Sequence, residues 1–344
     1  MKSLQSIQDV TSYRVEDGRR LYSANHDEIL AGLTTDVYFV KTRQILETQG
    51  YQNTEVVAEI FPRRSGIIAG VEEALNLLRD LDVQVEALPE GTPFSAKDVV
   101  MRIRGLYTEF GIYETAVLGI LAHSSGWATA AHEVKQVTKD KPFFCFGARH
   151  VHPAVAPVME RAAIIGGARG ASCILGAKLA RVEPSGTVPH ALFLIVGDTV
   201  DAARMYDQIM PSESPRTILV DTFKDEVEES LRVAEALGAQ LEAIRLDTPG
   251  ERGGVTAALV RELRAKLDLA GYQHVQIFAS GGLDLEKIRL LSQAGADAFG
   301  VGSYISSAVP IDMTMDIKEI NGMPVAKRGR LPGVTPNDAM VKVK

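Results

Sequence analysis

Five places in the chain set polar or side-chain-free residues directly behind short apolar runs. Arg149 and His150 follow FFCFGA, Asp221 and Thr222 follow TILV, and Asp247 and Thr248 follow AIRL; Ser280, Gly281 and Gly282 follow IFA, and Gly302 and Ser303 follow FGV. The SGG and GVGS turns, which include Gly300, lack the side chains that would keep backbone N–H groups from an anion, so they suit a phosphate. Two such turns are also what tight corners require. Asp221 and Asp247 have the chemistry to bind ribose hydroxyls, or to hold Mg²⁺, which prefers a few carboxylates plus substrate phosphates. They could equally cap the helices that follow; as a pair beside a phosphate site, the functional reading is preferred. Arg149 and Arg245 supply permanent positive charge for a carboxylate or diphosphate, although Arg245 on an untwisted strand would point away from Asp247 into an exterior ion pair. His190, behind the flexible SGTVP segment, suits a nucleophile or a proton carrier, and a lone histidine is also often structural.

Elements of one kind must present these residues together. From Phe143 onward, short apolar strands alternate with amphipathic helices: TILVD, AIRLD, VQIFAS and AFGVG are the clearest strands, and FFCFGAR is another. Val227, Leu231 and Ala234 form one helical stripe, and Val255, Leu259, Leu263 and Leu267 form a second. Continuously apolar strands joined by helical crossovers predict a parallel sheet covered on both faces, with its site at the C-terminal strand ends. With further strands expected around Ala171 and Val182, the count is about seven. The run ALFLIV after His190 is assigned to a helix. Before this region the elements do not alternate: VVAEI, VQVEALPEG and VVMRIRG read as strands, and a long helix runs from Ile112 to about Val134. The polar stretch KDKP is taken as the boundary. The expected class is therefore α/β, an incomplete or irregular β/α barrel over 141–307, preceded by an α+β domain over 1–140 and followed by an extension over 308–344.

Composition narrows the partners. A formal net charge of -7 and the lack of any run of like charges disfavour nucleic acid and anionic membrane. The two cysteines lie in apolar stretches and imply a reducing compartment; without an apolar signal core or a bilayer-length apolar stretch, a cytoplasmic protein is expected.

Ten ordered pieces carry a family resemblance: TTDVYF, PEGTPF, ETAVLGILAHSSGWAT, FGARH, GGARGASCILGAK, SGTVPH, LVDTF, IRLDTPG, FASGGL and FGVGS. Between about Gly32 and Ser307 the chain resembles the type II phosphoribosyltransferases of NAD synthesis, and within them the nicotinate phosphoribosyltransferases. The resemblance implies a barrel with an N-terminal open-sandwich domain, in a homodimer or higher assembly of dimers whose sites are completed across subunits. It implies that nicotinate and phosphoribosyl diphosphate combine with Mg²⁺ as cofactor, and that ATP is a co-substrate acting through phosphorylation of His190. Arg149 would hold the pyridine carboxylate, while Asp36 and Tyr38 would come from the other subunit, the tyrosine stacking on the ring. Asp221, Arg245, Asp247 and Thr248 would meet ribose and diphosphate; Ser280 to Gly282 and Gly300 to Gly302 would bind the 5′-phosphate. The nearest alternative is a decarboxylating quinolinate phosphoribosyltransferase, which needs extra basic residues for a second carboxylate. From other classes come a barrel aldolase, for which no strong strand ends in the required lysine, and a non-catalytic sugar-phosphate binding protein.

Overall fold

The computed structural model describes residues 3–344, which divide into two compact units: one comprises the chain up to Thr129 together with Val309–Lys344, the other Ala130–Ala308. The chain leaves the first unit within the long helix Glu114–Thr138.

The first unit is built on an antiparallel sheet in the order Met323–Pro324, Met313–Ile320, Glu55–Pro62, Met101–Leu106, Val83–Ala87, Val341–Lys342. Val83–Ala87 alternates buried and more exposed residues, as a strand with one wet face must. Its buried side packs with Ile60, Ile103, Leu78 and Leu121, all fully buried. Glu59 lies in the central strand and is buried; Arg102 on the neighbouring strand neutralises it at 2.9 Å. The strand Met313–Ile320 runs beside Glu55–Pro62 along its full length, so residues placed in a polar extension contribute to this sheet. The signal was the alternation of Met313, Met315 and Ile317 with polar neighbours.

Glu114 opens the long helix and is half-buried. Burial, then the carboxylates of Asp316 and Asp36, pushes its pKa up to about 7, against the opposing pull of Lys327. Between about pH 4.5 and 7 the unfolded chain has lost this proton and the folded chain has kept it, so stability falls as pH rises through that window. Discounting for solvent screening, the expected loss is about 1–2 kcal/mol. Urea unfolding at both ends of the window checks this: Glu114→Gln should remove the loss, and an unaltered pH dependence in the variant would refute it.

The second unit carries a curled, all-parallel sheet, a half-barrel in the order Gly170–Ala171, Phe143–Cys145, Ala298–Val301, Gln276–Ala279, Ala243–Leu246, Thr217–Leu219. Ala298–Val301 is buried at every residue, as its continuously apolar run predicts. There are six parallel strands rather than about seven. The residues around Val182 form no strand; the chain turns there, with Arg181 at φ 59°. His190–Val196 is helical, as its apolar spacing predicts. The helices Glu226–Leu237 and Ala257–Leu269 are capped by Asp225 and Thr256, whose side chains accept from Val227 and Leu259 N–H groups. Asp221 and Asp247 are thereby released from the capping role. Among the described residues, no helix is long and apolar enough to cross a membrane.

Candidate active site

The strand ends of the half-barrel surround a cavity of about 500 Å³, lined by Phe146, Arg149, His150, Ser172, Thr187, Arg245, Asp247, Ser280, Gly281, Gly282, Gly300 and Gly302 among others. Residues from six separate segments of the chain meet in it.

Arg245 is the fixed cation of this cavity. Its Nε donates to Ser280 Oγ at 2.9 Å, its Nη1 to Thr187 Oγ1 at 2.6 Å, and its Nη2 lies 3.4 Å from Asp247 Oδ2. The guanidinium also sits 5.2 Å from the centre of the Phe146 ring, which stacks on Phe278. Burial lowers its pKa, an effect opposed by Asp247 and Asp221 and reinforced by Arg149, but a guanidinium stays charged throughout the physiological range. Arg245 and Asp247 stand two residues apart and so share one face of the pleat; Arg245 turns into the cavity beside Asp247, and the exterior ion pair considered from the sequence does not form.

Asp247 Oδ1 is also held, 2.8 Å from the Ser280 hydroxyl. Gly281 and Gly282 follow at φ 90° and 58°, left-handed values that favour glycine. Their N–H groups donate to no backbone carbonyl among the described residues. A side chain on Gly300 would put its Cβ 2.6 Å from the Phe146 ring, and one on Gly302 would meet His150 at 2.9 Å. Both positions are glycine for space.

Asp221 is buried, with Oδ2 2.9 Å from His190 Nε2. Its other oxygen, Oδ1, is buried with no hydrogen-bond partner among the described residues, and so is Thr222 Oγ1. An unsatisfied buried polar atom costs about 1–3 kcal/mol, and more when charged, so these two atoms call for a ligand. Thr248 faces elsewhere: it is buried and donates its hydroxyl to Glu226 Oε1 at 2.9 Å. Asp36 and Tyr38 belong to the first unit, where Asp36 accepts hydroxyls from Tyr38 at 3.1 Å and Thr115 at 2.9 Å, and Tyr38 is exposed.

His150 lines the cavity, as its place behind FFCFGA led one to expect, and Phe146, Ser172, Gly186 and Thr187 line it without having been assigned to it from the sequence. For Gly186 and Thr187 the signal lay in SGT, small residues just ahead of His190.

Comparison with known proteins now decides the family. The profile of the quinolinate phosphoribosyl transferase N-terminal domain matches residues 36–125, and that of the C-terminal domain matches residues 127–316. The chain belongs to the quinolinate phosphoribosyl transferase family. A crystal structure of nicotinate-nucleotide pyrophosphorylase from Pyrococcus furiosus is 48% identical, covers 92% of this chain and 82% of its own, and superposes with a TM-score of 0.87. A nicotinate phosphoribosyltransferase of Mycobacterium tuberculosis is 28% identical over 340 residues, 87% of this chain and 75% of that protein. A nicotinate-nucleotide pyrophosphorylase (carboxylating) of Mycobacterium leprae is 26% identical over 275 residues, 77% of this chain and 87% of that protein.

These findings correct the expectation of a nicotinate phosphoribosyltransferase. That reading rested on short ordered motifs, whereas the similarity that overturns it extends over nearly the whole chain. The expectation of ATP coupling through His190 belonged to that reading; the His190 imidazole lies 2.9 Å from Asp221 Oδ2. What stands is a pyridine phosphoribosyltransferase of NAD biosynthesis.

Proposed function

We propose that the chain is a decarboxylating quinolinate phosphoribosyltransferase, which makes nicotinate mononucleotide, diphosphate and CO₂ from pyridine-2,3-dicarboxylate and phosphoribosyl diphosphate. The observation that carries the reading is the 48% identity, across 92% of the chain, to a nicotinate-nucleotide pyrophosphorylase. The cavity accommodates an acid-bearing ring: Arg245 is committed to Ser280, Thr187 and Asp247, which leaves Arg149 in the same cavity to meet a ring carboxylate.

In this reading the pyridine nitrogen attacks the ribose C1, and the C1–O bond breaks with its electron pair leaving on diphosphate. The new N–C1 bond makes the ring cationic. The C2–carboxylate bond then breaks, CO₂ departs, and the electron pair left at C2, stabilised by the adjacent ring cation, takes up a proton. The first step needs charge placement more than a base, because positive charge develops at the ribose carbon. Asp221 and Asp247 provide negative charge there, the Gly281–Gly282 amides suit the 5′-phosphate, and Arg149 holds the ring's acid. Mg²⁺ would be held by Asp221 together with the diphosphate, to which it supplies charge neutralisation; the unpartnered Oδ1 fits such a donor. Asp36 and Tyr38 are assigned to the site of a second copy in a homodimer, a role supported by the exposure of Tyr38 and the anchoring of its hydroxyl by Asp36.

Product analysis by mass spectrometry tests the substrate. Quinolinate labelled in the 2-carboxylate should yield unlabelled nicotinate mononucleotide and labelled CO₂, at a rate indifferent to ATP. Turnover of nicotinate with none of quinolinate would overturn the reading.

A further inference from the structure

Glu160 is completely buried in the middle of Ala156–Ile165, the helix that crosses from the strand Phe143–Cys145 to Gly170–Ala171. Buried carboxylates are rare unless paired, and no cation pairs with this one among the described residues. Its partners are the turns at the two strand ends. Oε1 accepts from Ala148 N–H at 3.2 Å and from Ser172 Oγ at 3.0 Å, and Oε2 accepts from Cys173 N–H at 2.5 Å. Burial pushes the carboxyl pKa up, and these donors pull the other way.

The two turns that the carboxylate joins belong to the site. Ala148 immediately precedes Arg149, and both residues line the cavity, as does Ser172. Arg149 is exposed and sits in the single short turn Ala148–His150. A long side chain on an exposed turn loses aim when its backbone shifts, and misplacement by about 1 Å is enough to cost about 100-fold.

We propose that Glu160 is a positioning residue, which locks the turn at Ala148 to the turn at Ser172–Cys173 and so fixes the angle at which Arg149 meets the acid group of the pyridine. The inference rests on the reading of Arg149 as the acid-binding residue. Glu160 touches no substrate in this account and acts through the turn.

A double-mutant cycle separates positioning from a general structural role. Glu160→Gln keeps the size and one acceptor oxygen but sets an NH₂ against N–H and O–H donors. Calorimetric titration of the full chain with quinolinate should show affinity reduced about 10-fold by Glu160→Gln, with phosphoribosyl diphosphate affinity within about 2-fold of wild type. In an Arg149→Gln background the same change should cost less than about 2-fold. Equal loss for both ligands, or the full 10-fold loss repeated without Arg149, would overturn the proposal. If melting curves show Glu160→Gln unfolded, Ser172→Ala removes only the hydroxyl donor and should give about a 3-fold loss with the same dependence on Arg149; no Arg149-dependent loss there also overturns it. Nicotinate is titrated in parallel: wild type binding nicotinate but not quinolinate would remove the substrate reading, while the cycle run on nicotinate still reads Glu160.

Discussion

Replacing Asp221 with asparagine is expected to lower kcat/KM by about three orders of magnitude, about 4 kcal/mol of transition-state stabilisation, while the folded chain becomes no less stable. The two halves of this expectation come from one atom. Asp221 Oδ1 is buried without a hydrogen-bond partner among the described residues, so in the ligand-free protein that oxygen carries a desolvation cost which the His190 contact to Oδ2 does not relieve. Asparagine has the same shape, still offers an oxygen to His190 Nε2, and sheds the charge. The negative charge beside the ribose carbon is lost at the moment positive charge develops there, and so is the donor proposed for Mg²⁺. Steady-state kinetics and a thermal melt on the same preparation check both halves. The assignment fails if activity stays within tenfold of wild type, or if the melting temperature and activity fall together, which would make Asp221 a scaffold residue.

Such a cost concentrated at one rim explains what was and was not legible in the sequence. The apolar runs ending at Val220, Leu246, Ala279 and Val301 needed no structure to be recognised as parallel strands, because only strands covered on both faces are apolar throughout. The residues behind them had to share an edge, and Arg245, Asp247, Ser280, Gly281, Gly282, Gly300 and Gly302 do line one cavity. Strand count was less secure: Gly170–Ala171 has only two residues, too few for a periodicity, and around Val182 an apolar residue in a turn looked like another strand.

Side-chain partnership was harder to foresee. Thr248 directly follows Asp247, yet its hydroxyl goes to Glu226 and not to the cavity. Arg245 was expected to point away from Asp247, yet the two stand two residues apart and share one face of the pleat, which sets the guanidinium between Thr187 and Ser280. Glu160 lay hidden in a helix whose other buried residues, Ala156, Met159, Ala162 and Ala163, give an ordinary packing face. Nothing in a single sequence distinguishes a glutamate at the edge of that face from a solvated one. The choice of acid was illegible for a related reason: one carboxylate differs from two by a second cation, and His150 adjoins Arg149 whichever substrate is bound.

Asp247→Ala is expected to raise KM for phosphoribosyl diphosphate about 100-fold, equivalent to about 2.7 kcal/mol, and to change quinolinate affinity by less than about 3-fold. The ranking follows from what the carboxylate holds. Asp247 takes the Ser280 hydroxyl at 2.8 Å and lies 3.4 Å from Arg245, and Ser280 opens the glycine turn proposed for the 5′-phosphate. Without the carboxylate, Arg245 remains a half-buried cation with its nearest charge partner gone, and Ser280 keeps only the Leu246 carbonyl, at 3.1 Å, as an acceptor. Removing one member of such a pair is costly because of the charge left behind. The side of the cavity proposed for phosphoribosyl diphosphate therefore loosens, while Arg149, proposed to hold the ring, has no bond to Asp247 and is expected to be unaffected. Asp247→Asn separates the two contributions: it preserves the Ser280 contact and removes the charge, so a KM between those of wild type and the alanine variant is expected. A larger loss of quinolinate affinity than of phosphoribosyl diphosphate affinity, measured by calorimetry on either variant, would place Asp247 at the wrong end of the substrate pair.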